Sequence, residues 1–372
     1  MSGAAFADLD GDGDADLALA VEWGPIRVFR NDGGSFADVT TAWGLADYPG
    51  WWTSVTVGDF DGDGRLDLAA GNWGRNSLYE LNRPGPLRLF YNDTNRDGVV
   101  EIIEAWKHLD QWLPVRPRPW LARGFPDLSR RIPTHEAYGR ASVADVWGAG
   151  FSSTDTVEAT FLDSAVFLNR GTNFLAVPLP REAQWAPVFA VNTGDFDGDG
   201  HEDLFVSQNF FGSGFDLTRD DSGRGAWLRG NGDGTFTAVA SGILLRGEQR
   251  GAALADFNHD GRLDLAVAQN NGPTKLYANI RARPGLRVIL SGPPGNPEGV
   301  GAQMRLRSAD GRFGPARAVL AGSGYWSQDS AVQVLARPGR AEVLWVRWPG
   351  GREQTVFLHP DQTEVRVTPH ES

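Results

Sequence analysis

Residues 8–16 read DLDGDGDAD and are followed by Leu17. This spacing places an aspartate at positions 1, 3, 5 and 9 of a nine-residue loop, while two glycines permit the tight turn. Four side-chain oxygens and a backbone carbonyl at position 7 can surround a hard cation such as Ca²⁺. The pattern returns as DFDGDGRLD at 59–67, DFDGDGHED at 195–203 and DFNHDGRLD at 256–264.

The predicted calcium ligands share these loop positions. The side-chain ligands are Asp8, Asp10, Asp12 and Asp16; Asp59, Asp61, Asp63 and Asp67; Asp195, Asp197, Asp199 and Asp203; and Asp256, Asn258, Asp260 and Asp264. The backbone carbonyls at position 7 belong to Asp14, Arg65, His201 and Arg262. Acidic turns without metal are the alternative, because Asp and Gly also favour loops for conformational reasons. Four copies in one register, each leading into an apolar segment, favour calcium.

The segments that flank these loops indicate strands. In an EF-hand, a glutamate would occupy position 12, where the first loop has Leu19. The flanking AAFADLD and DLALAV alternate between apolar and other residues, as strands do. The four loops are therefore predicted to connect one strand to the next.

A fifth loop at residues 93–104 follows the EF-hand pattern DxNxDG with Glu at position 12. Its predicted ligands are Asp93, Asn95, Asp97, the Val99 carbonyl, Glu101 and Glu104. The alternating LRLFY precedes it, and Ile102, Ile103, Trp106, Leu109 and Leu113 follow at helical spacing. The pattern predicts a strand, a calcium loop and a helix.

The composition limits the class of protein. The chain has 372 residues and a formal charge of −12, which four or five bound Ca²⁺ ions would largely neutralise. Binding to nucleic acid is disfavoured by this charge. The chain contains no cysteine, so it has no disulfide framework. No apolar segment is long enough to predict insertion into a membrane.

The predicted compartment is extracytoplasmic: extracellular, periplasmic or on the cell surface. Calcium loops suit the millimolar calcium found outside cells. The N-terminal MSGAAFADLDGDGD has neither a basic segment nor an apolar run, so a secretion signal is absent from this sequence. The first loop begins at Asp8, and we therefore expect a fragment that lacks a leader and earlier repeats.

The repeat units predict an all-β fold. Each unit has an inner strand, the aspartate loop, a second strand, and a third strand that ends in a turn. IRVFRNDGGSF at 26–36 and WLRGNGDGTF at 227–236 show the turn chemistry of hairpins. Four short strands at a period of about fifty residues are typical of β-propeller blades.

These motifs resemble the FG-GAP or VCBS repeat propellers, a family also found in integrin α-chains. The resemblance covers roughly residues 2–280, and the propeller domain is predicted over residues 1–280. Residues 141–174 look like a further blade, with ASVADVWG and VFLNRGTNF but without acidic ligands. Five blades are thus recognisable where the family usually has seven, which is consistent with a missing N-terminal portion.

The pattern changes beyond residue 281, and the stretch RPGLRVILSGPPGNPEGVGAQ that begins at Arg283 is rich in Pro and Gly. Short alternating segments follow, so residues 281–372 are predicted to form a small β-sandwich. This part is similar to the ASPIC/UnbV domain, through Gly299, Gly301 and Ala302, AGSGYWSQDS at 321–330 and VLWVRWPGG at 343–351. The combination looks like the cartilage acidic protein family.

An insertion at about 93–140 separates two blades and carries a basic segment. Its arginines are Arg116, Arg118, Arg123, Arg130, Arg131 and Arg140. With Trp106, Trp112, Trp120 and Tyr138 they could form a groove for an anionic glycan. The favoured alternative is a solvated loop whose arginines pair with nearby carboxylates.

Enzymatic chemistry has one weak candidate group. His135, Tyr138 and Arg140 lie close in sequence and could act in a polysaccharide lyase. The preferred hypothesis is a calcium-stabilised binding or adhesion module for a glycan or a protein, with a carbohydrate-active lyase or hydrolase as the alternative. Ligand identity and oligomeric state are left open by the sequence.

Overall fold

The computed structural model describes residues 1–79, 85–94, 96–212, 219–337 and 341–369. Strands dominate these residues, which confirms the predicted all-β class. Within the described ranges, 3-10 helices lie at Leu45–Asp47, Phe151–Ser153 and Arg181–Gln184.

The first blade is an antiparallel sheet of order β1-β2-β4-β5. Its part of the chain contains β1 (Gly3–Ala7), β2 (Asp16–Ala20), β3 (Glu22–Gly24), β4 (Arg27–Asp32) and β5 (Ser35–Asp38). In β2, Asp16, Ala18 and Ala20 are buried while the residues between them are half-buried, as the alternation predicts. The aspartate loop thus connects the first two strands.

The second blade begins in the same way and is then interrupted. Its first part contains β6 (Gly50–Trp51), β7 (Ser54–Gly58) and β8 (Asp67–Gly71). Strand β6 pairs with β3 of the first blade. All residues of β7 and β8 are buried, which agrees with their nearly continuous run of small and apolar residues.

An inserted unit follows β8 and forms its own sheet, in the order β11-β10-β9-β12. It contains β9 (Leu87–Asn92), β10 (Glu101–His108), β11 (Gln111–Pro114), α1 (Arg118–Gly124), α2 (Leu128–Arg131), α3 (His135–Gly139), α4 (Val143–Trp147) and β12 (Asp155–Ala159). Its strands and helices enclose a core that includes Phe90, Ile103 and Trp147. The insertion therefore occupies residues 87–159 rather than 93–140.

The helix predicted after the fifth loop is wrong, because Ile102 to Leu113 form the hairpin of β10 and β11. Glu101, Ile103 and Ala105 are buried along one face of β10, while Ile102 and Glu104 lie on the other. Pairing with β9 selects this two-residue alternation over the helical spacing.

The second blade resumes after the insertion with β13 (Ala165–Asn169) and β14 (Phe174–Pro178). Its sheet has the order β14-β13-β8-β7. The expected separate blade at 141–174 is therefore wrong: ASVADVWG contains α4, and VFLNRGTNF supplies the outer strands of blade two. The described residues contain four repeat blades instead of five.

The third and fourth blades follow without interruption. They contain β15 (Val188–Gly194), β16 (Asp203–Gln208), β17 (Ala226–Gly230), β18 (Phe236–Val239), β19 (Glu248–Ala255), β20 (Asp264–Asn270) and β21 (Gly272–Tyr277). Blade three has four strands and blade four has three. The first strands of the blades, β1, β7, β15 and β19, lie side by side in that order.

The C-terminal part has two sheets around one apolar core, as a sandwich does. It contains β22 (Leu286–Leu290), β23 (Gln303–Ser308), β24 (Arg317–Ala318), β25 (Gln333–Leu335), β26 (Ala341–Arg347), β27 (Glu353–Phe357) and β28 (Glu364–Val367). The sheet orders are β25-β22-β28 and β24-β23-β26-β27. Strand β28 pairs with β22 in parallel.

The loop between β24 and β25, which we call the signature loop (319–332), lies against the first strands of the blades. Asp329 accepts hydrogen bonds from Asn192 Nδ2 of β15 at 3.0 Å and from the Leu254 N–H of β19 at 2.7 Å. Leu320 packs in the core shared by blades one and two. The signature loop thus ties the sandwich to blades three and four, and contacts the core of blades one and two.

Candidate functional site

The four aspartate loops have one internal hydrogen-bond pattern. In the first loop, Asp8 accepts from the N–H groups of Gly11 at 2.7 Å and Gly13 at 3.0 Å. Asp16 accepts from Leu9 N–H at 2.9 Å and from Asn31 N–H at 2.8 Å. The position-1 carboxylate thereby shapes the turn, and the position-9 carboxylate joins the loop to the third strand.

The position-9 pattern recurs in every blade. Asp67, Asp203 and Asp264 each accept one N–H from loop position 2 and another from a residue that follows or ends the third strand. The second donors are Asn169, Gly230 and Asn279. The repeat therefore fixes each loop from two directions.

Three loops bring their carboxylates close enough to share one ion. One oxygen from each of Asp8, Asp10 and Asp16 lies within 4.8 Å of the others. The same holds for Asp59, Asp61 and Asp67, and for Asp195, Asp197 and Asp199. The carboxyl groups of Asp12, Asp63 and Asp260 each accept a hydrogen bond from the N–H of position 7, so they lie within the turn. In loop four, Asn258 and Asp256 both accept from Asp260 N–H.

The electrostatics of these groups suit a divalent cation. Burial raises the pKa of Asp67 and Asp203 to about 8, and that of Asp16 and Asp59 to about 6. Asp59 is 1% exposed, and its Oδ1 has no hydrogen-bond partner among the described residues. A buried, unpartnered carboxylate oxygen is costly unless a cation binds it. The all-oxygen donor set is the one that Ca²⁺ prefers.

Arginines of the C-terminal sandwich face the aspartate loops. Arg347 Nη2 lies 2.5 Å from Asp8 Oδ2, and Arg287 pairs with Asp256. Arg317 binds Glu202 in loop three and lowers the pKa of Asp195, although burial leaves that pKa raised overall. Arg305 acts electrostatically on Asp59, whose Oδ2 also accepts the Ala316 N–H at 2.8 Å. Each loop therefore meets a cationic side chain from a different strand of the sandwich.

Two sets of residues at this site were not predicted from the sequence. The docking arginines belong to a segment, 281–372, that has twelve arginines against eight acidic residues in an otherwise acidic chain. That charge asymmetry was the available signal. The second set consists of turn asparagines: Asn169 Nδ2 donates to Leu9 O of blade one at 2.7 Å, and Asn279 Nδ2 donates to Phe196 O of blade three at 2.8 Å.

The fifth loop is only partly assembled as predicted. Asp93 accepts from Asp97 N–H at 3.1 Å, Asp97 accepts from Val99 N–H at 2.8 Å, and Glu101 accepts from Thr94 N–H at 3.0 Å. The predicted ligand Asn95 lies outside the described residues.

The prediction that Glu104 is a ligand of this loop is wrong, because its carboxylate faces Arg116 and Tyr79 instead. Arg116 Nε donates to it at 2.5 Å and Tyr79 Oη at 3.2 Å. Because β10 is a strand, Glu104 projects from the face opposite Glu101. Residues 101–108 form a strand instead of the helix that follows an EF-hand loop.

The polar residues of the insertion do not converge. His135 and Arg140 lie at the exposed ends of α3, where Arg140 pairs with Glu136, while Tyr138 Oη donates to Arg116 O at 2.6 Å. Arg118 donates to Ile132 O, and Arg131 binds Asp127 and two carbonyls. Arg116, Arg131 and Arg140 thus pair with carboxylates, as the favoured alternative to a glycan groove predicts. The segment is a folded unit with helices and an apolar core, however, and not a solvated loop.

No helix among the described residues is long and apolar enough to cross a bilayer.

Comparisons with known proteins agree with the sequence resemblance. A model of the FG-GAP-like repeat matches residues 8–70 and 210–267, and a model of the ASPIC and UnbV domain matches residues 292–372. Human cartilage acidic protein 1 is 26% identical over 298 residues, covering 75% of this chain and 40% of that protein. Its mouse counterpart is 25% identical over 291 residues, covering 75% and 42%. The chain thus spans about two fifths of these relatives.

Solved structures show a weaker likeness. The V. cholerae biofilm matrix protein Bap1 has a TM-score of 0.24 at 12% identity, with 95% of this chain and 61% of that chain covered. The exotype rhamnogalacturonan lyase YesX has a TM-score of 0.25 at 11% identity, covering 98% and 72%. At these scores, neither match assigns a fold or an activity.

Proposed function

This chain carries FG-GAP-like repeats and an ASPIC and UnbV domain and is homologous to cartilage acidic protein 1, and on that premise we propose that it is an extracellular, calcium-stabilised adhesion or recognition module. The observation that supports the calcium part is the fourfold repetition of one loop pattern, with carboxylates clustered in three of the four loops. The homology supports an extracellular setting, where calcium is abundant.

Calcium would supply charge neutralisation and oxygen cross-linking within each loop. Side chains at positions 1, 3, 5 and 9 would hold it, together with the carbonyls of Asp14, Arg65, His201 and Arg262. Asp93, Asp97, Glu101 and the Val99 carbonyl are the corresponding candidates in the fifth loop. We therefore propose four to five ions, with a structural role.

The module would display a surface for a glycan or a protein partner. Its aspartate loops lie under the sandwich, whose arginines contact them. Bound calcium would therefore stabilise the blades and the contact between the blades and the C-terminal domain. Recognition would then take place on another surface of the assembled module.

Thermal unfolding in millimolar calcium and in excess chelator tests the calcium proposal. When the free calcium concentration is 100 times the dissociation constant of a site, binding at that site stabilises the fold by about 2.7 kcal/mol. Several such sites should therefore raise the Tm strongly. A matched titration with Mg²⁺ separates calcium from general cation screening. An identical Tm in calcium and chelator would defeat the proposal.

A further inference from the structure

The fourth aspartate loop differs from the other three in what neutralises its carboxylates. The Arg287 guanidinium of β22 donates to Asp256, the carboxylate at position 1, and the two side chains are only 9% and 1% exposed. Arg287 Nε also lies 3.0 Å from a carboxylate oxygen of Glu364 in β28. The arginine is thus held between the loop and the sandwich.

The remaining ligand positions of loop four are also engaged within the protein. Position 3 is Asn258, where the other loops have aspartate, so loop four has one carboxylate fewer among its predicted ligands. Asn258 Nδ2 donates to Asp260 Oδ2 at 3.0 Å, and Arg262 Nη1 lies 2.9 Å from the same oxygen. Among the described residues, three carboxylates approach within 4.8 Å of one another in loops one, two and three, whereas the aspartates of loop four form no such group.

Loop three shows the opposite arrangement. Asp195, Asp197 and Asp199 bring their oxygens within 4.8 Å of one another. The sandwich arginine that reaches this loop, Arg317, pairs with Glu202 at position 8, which is not a predicted ligand. In the described parts of the chain, no arginine forms an ion pair with the three clustered carboxylates. Their charge is therefore available to a cation from solution.

Loops one and two lie between these extremes. In loop one, Arg347 pairs with Asp8 at 2.5 Å, but the carboxylates of the loop still cluster. In loop two, Arg170 pairs with Asp61 at position 3, and this arginine side chain is 38% exposed. An exposed ion pair contributes little to stability, so Arg170 can turn into solvent at small cost. Arg287 would instead have to leave a buried partner.

We propose that Arg287 serves as an internal counter-cation of loop four, so that calcium fills this loop last and only as Arg287 leaves Asp256. A buried carboxylate requires a positive partner, and a guanidinium and a Ca²⁺ ion compete for it when both bind the same group. The inference rests on the proposed calcium role and ranks its sites, with loop three open to calcium and loop four closed by arginine.

Isothermal titration calorimetry of the full chain with CaCl₂ tests this ranking. Arg287→Met leaves Asp256 buried without a cation, so the weakest calcium site should tighten at least about tenfold. Adding Asn258→Ala to this variant should abolish the gain, which assigns the gain to loop four. Arg317→Met is the matched control, because it also removes a buried arginine of the sandwich but leaves the predicted ligands unchanged, so no site should tighten.

A second comparison leaves every sandwich arginine in place and applies even where Arg287→Met does not fold. Asp197 and Asn258 occupy position 3 of loops three and four. In the otherwise wild-type chain, Asp197→Ala should remove a tight calcium site, whereas Asn258→Ala should affect only the weakest one.

Three results would overturn the ranking: an unchanged weakest site in folded Arg287→Met, equal tightening in Arg317→Met, or loss of a tight site in Asn258→Ala. The Tm in calcium and in chelator is measured on the same samples. A calcium-dependent Tm together with any of these results rejects the ranking alone. A wild-type chain that binds no calcium rejects the calcium part of the proposed function and the ranking with it.

Discussion

Arg317 and Glu202 form a buried, bidentate ion pair between the sandwich and the third aspartate loop. The Arg317 Nη2 atom lies 2.6 Å from both Glu202 oxygens, and Nε lies 2.8 Å from Oε1. The two side chains are only 8% and 1% exposed. Two charges removed from water stabilise the fold only while each satisfies the other.

Removal of Arg317 should therefore destabilise the chain strongly. Arg317→Ala leaves Glu202 buried without its partner, and we expect a loss of about 3–5 kcal/mol in the free energy of unfolding. Urea unfolding followed by tryptophan fluorescence measures it. Arg312→Ala is the control, because its side chain is 85% exposed and pairs only at the surface, so it should change stability by less than about 0.5 kcal/mol. Equal effects of the two variants would contradict a docking role for Arg317.

Substitution of Asp10 tests metal binding at the first loop separately from the folding of that loop. In the loop it accepts one hydrogen bond, from Asp12 N–H at 3.1 Å, and its side chain is exposed. Asp10→Ala should weaken calcium binding at the first loop by about tenfold or more, because the site loses one carboxylate. The Tm in chelator should change little. Asp32→Ala is the control in the same blade, since Asp32 pairs with Arg30 and is not a predicted ligand. Calorimetric titration with Ca²⁺ compares them, and equal affinities in both variants would exclude Asp10 as a ligand.

The turn geometry of the four loops was predictable, because each set of candidate ligands is contiguous and appears four times in one register. The hairpin at 101–114 was not predictable, because the spacing of Ile102, Ile103 and Trp106 fits a helix as well as it fits a strand. Pairing with β9 decided the outcome. Short apolar runs carry this ambiguity whenever the partner strand is unknown.

The assembly of blade two and the docking of the sandwich depend on contacts distant in sequence. Strand β13 pairs with β8 across the whole insertion, so VFLNRGTNF resembled a new blade when read along the chain. Charge asymmetry could have indicated that the C-terminal segment binds an acidic surface. Which arginine meets which loop depends on the sandwich register, as with Arg347 at Asp8 and Arg287 at Asp256.

Asn169 tests the link between neighbouring blades. Its buried amide donates to Leu9 O in blade one at 2.7 Å and to Leu66 O in its own blade at 3.1 Å. Asn169→Ala leaves buried carbonyl groups without donors and should cost about 2–4 kcal/mol. Asn31 occupies the same place in blade one, and its amide donates to Ala15 O within the blade. Asn31→Ala should therefore cost about half as much in the same urea assay, and equal costs would argue against a blade-to-blade bond at Asn169.

Gly13 tests the contact between the first loop and the sandwich. It has a φ of +99°, and a Cβ there would lie 2.7 Å from Gly351 N and 2.8 Å from Gly351 Cα. Gly13→Ala should separate the loop from the sandwich as well as strain the backbone. Gly34 has a φ of +96° and open space around its Cβ position, so Gly34→Ala reports the backbone strain alone, about 1 kcal/mol.

The difference between these two variants isolates the domain contact, because their backbone conformations are nearly the same. We expect Gly13→Ala to lower the free energy of unfolding by at least about 1 kcal/mol more than Gly34→Ala. Limited proteolysis should also cleave the Gly13→Ala variant sooner between Tyr277 and Leu286, the segment that connects the last blade to the sandwich. Equal stability and equal cleavage rates in the two variants would show that the Gly13–Gly351 approach does not hold the sandwich in place.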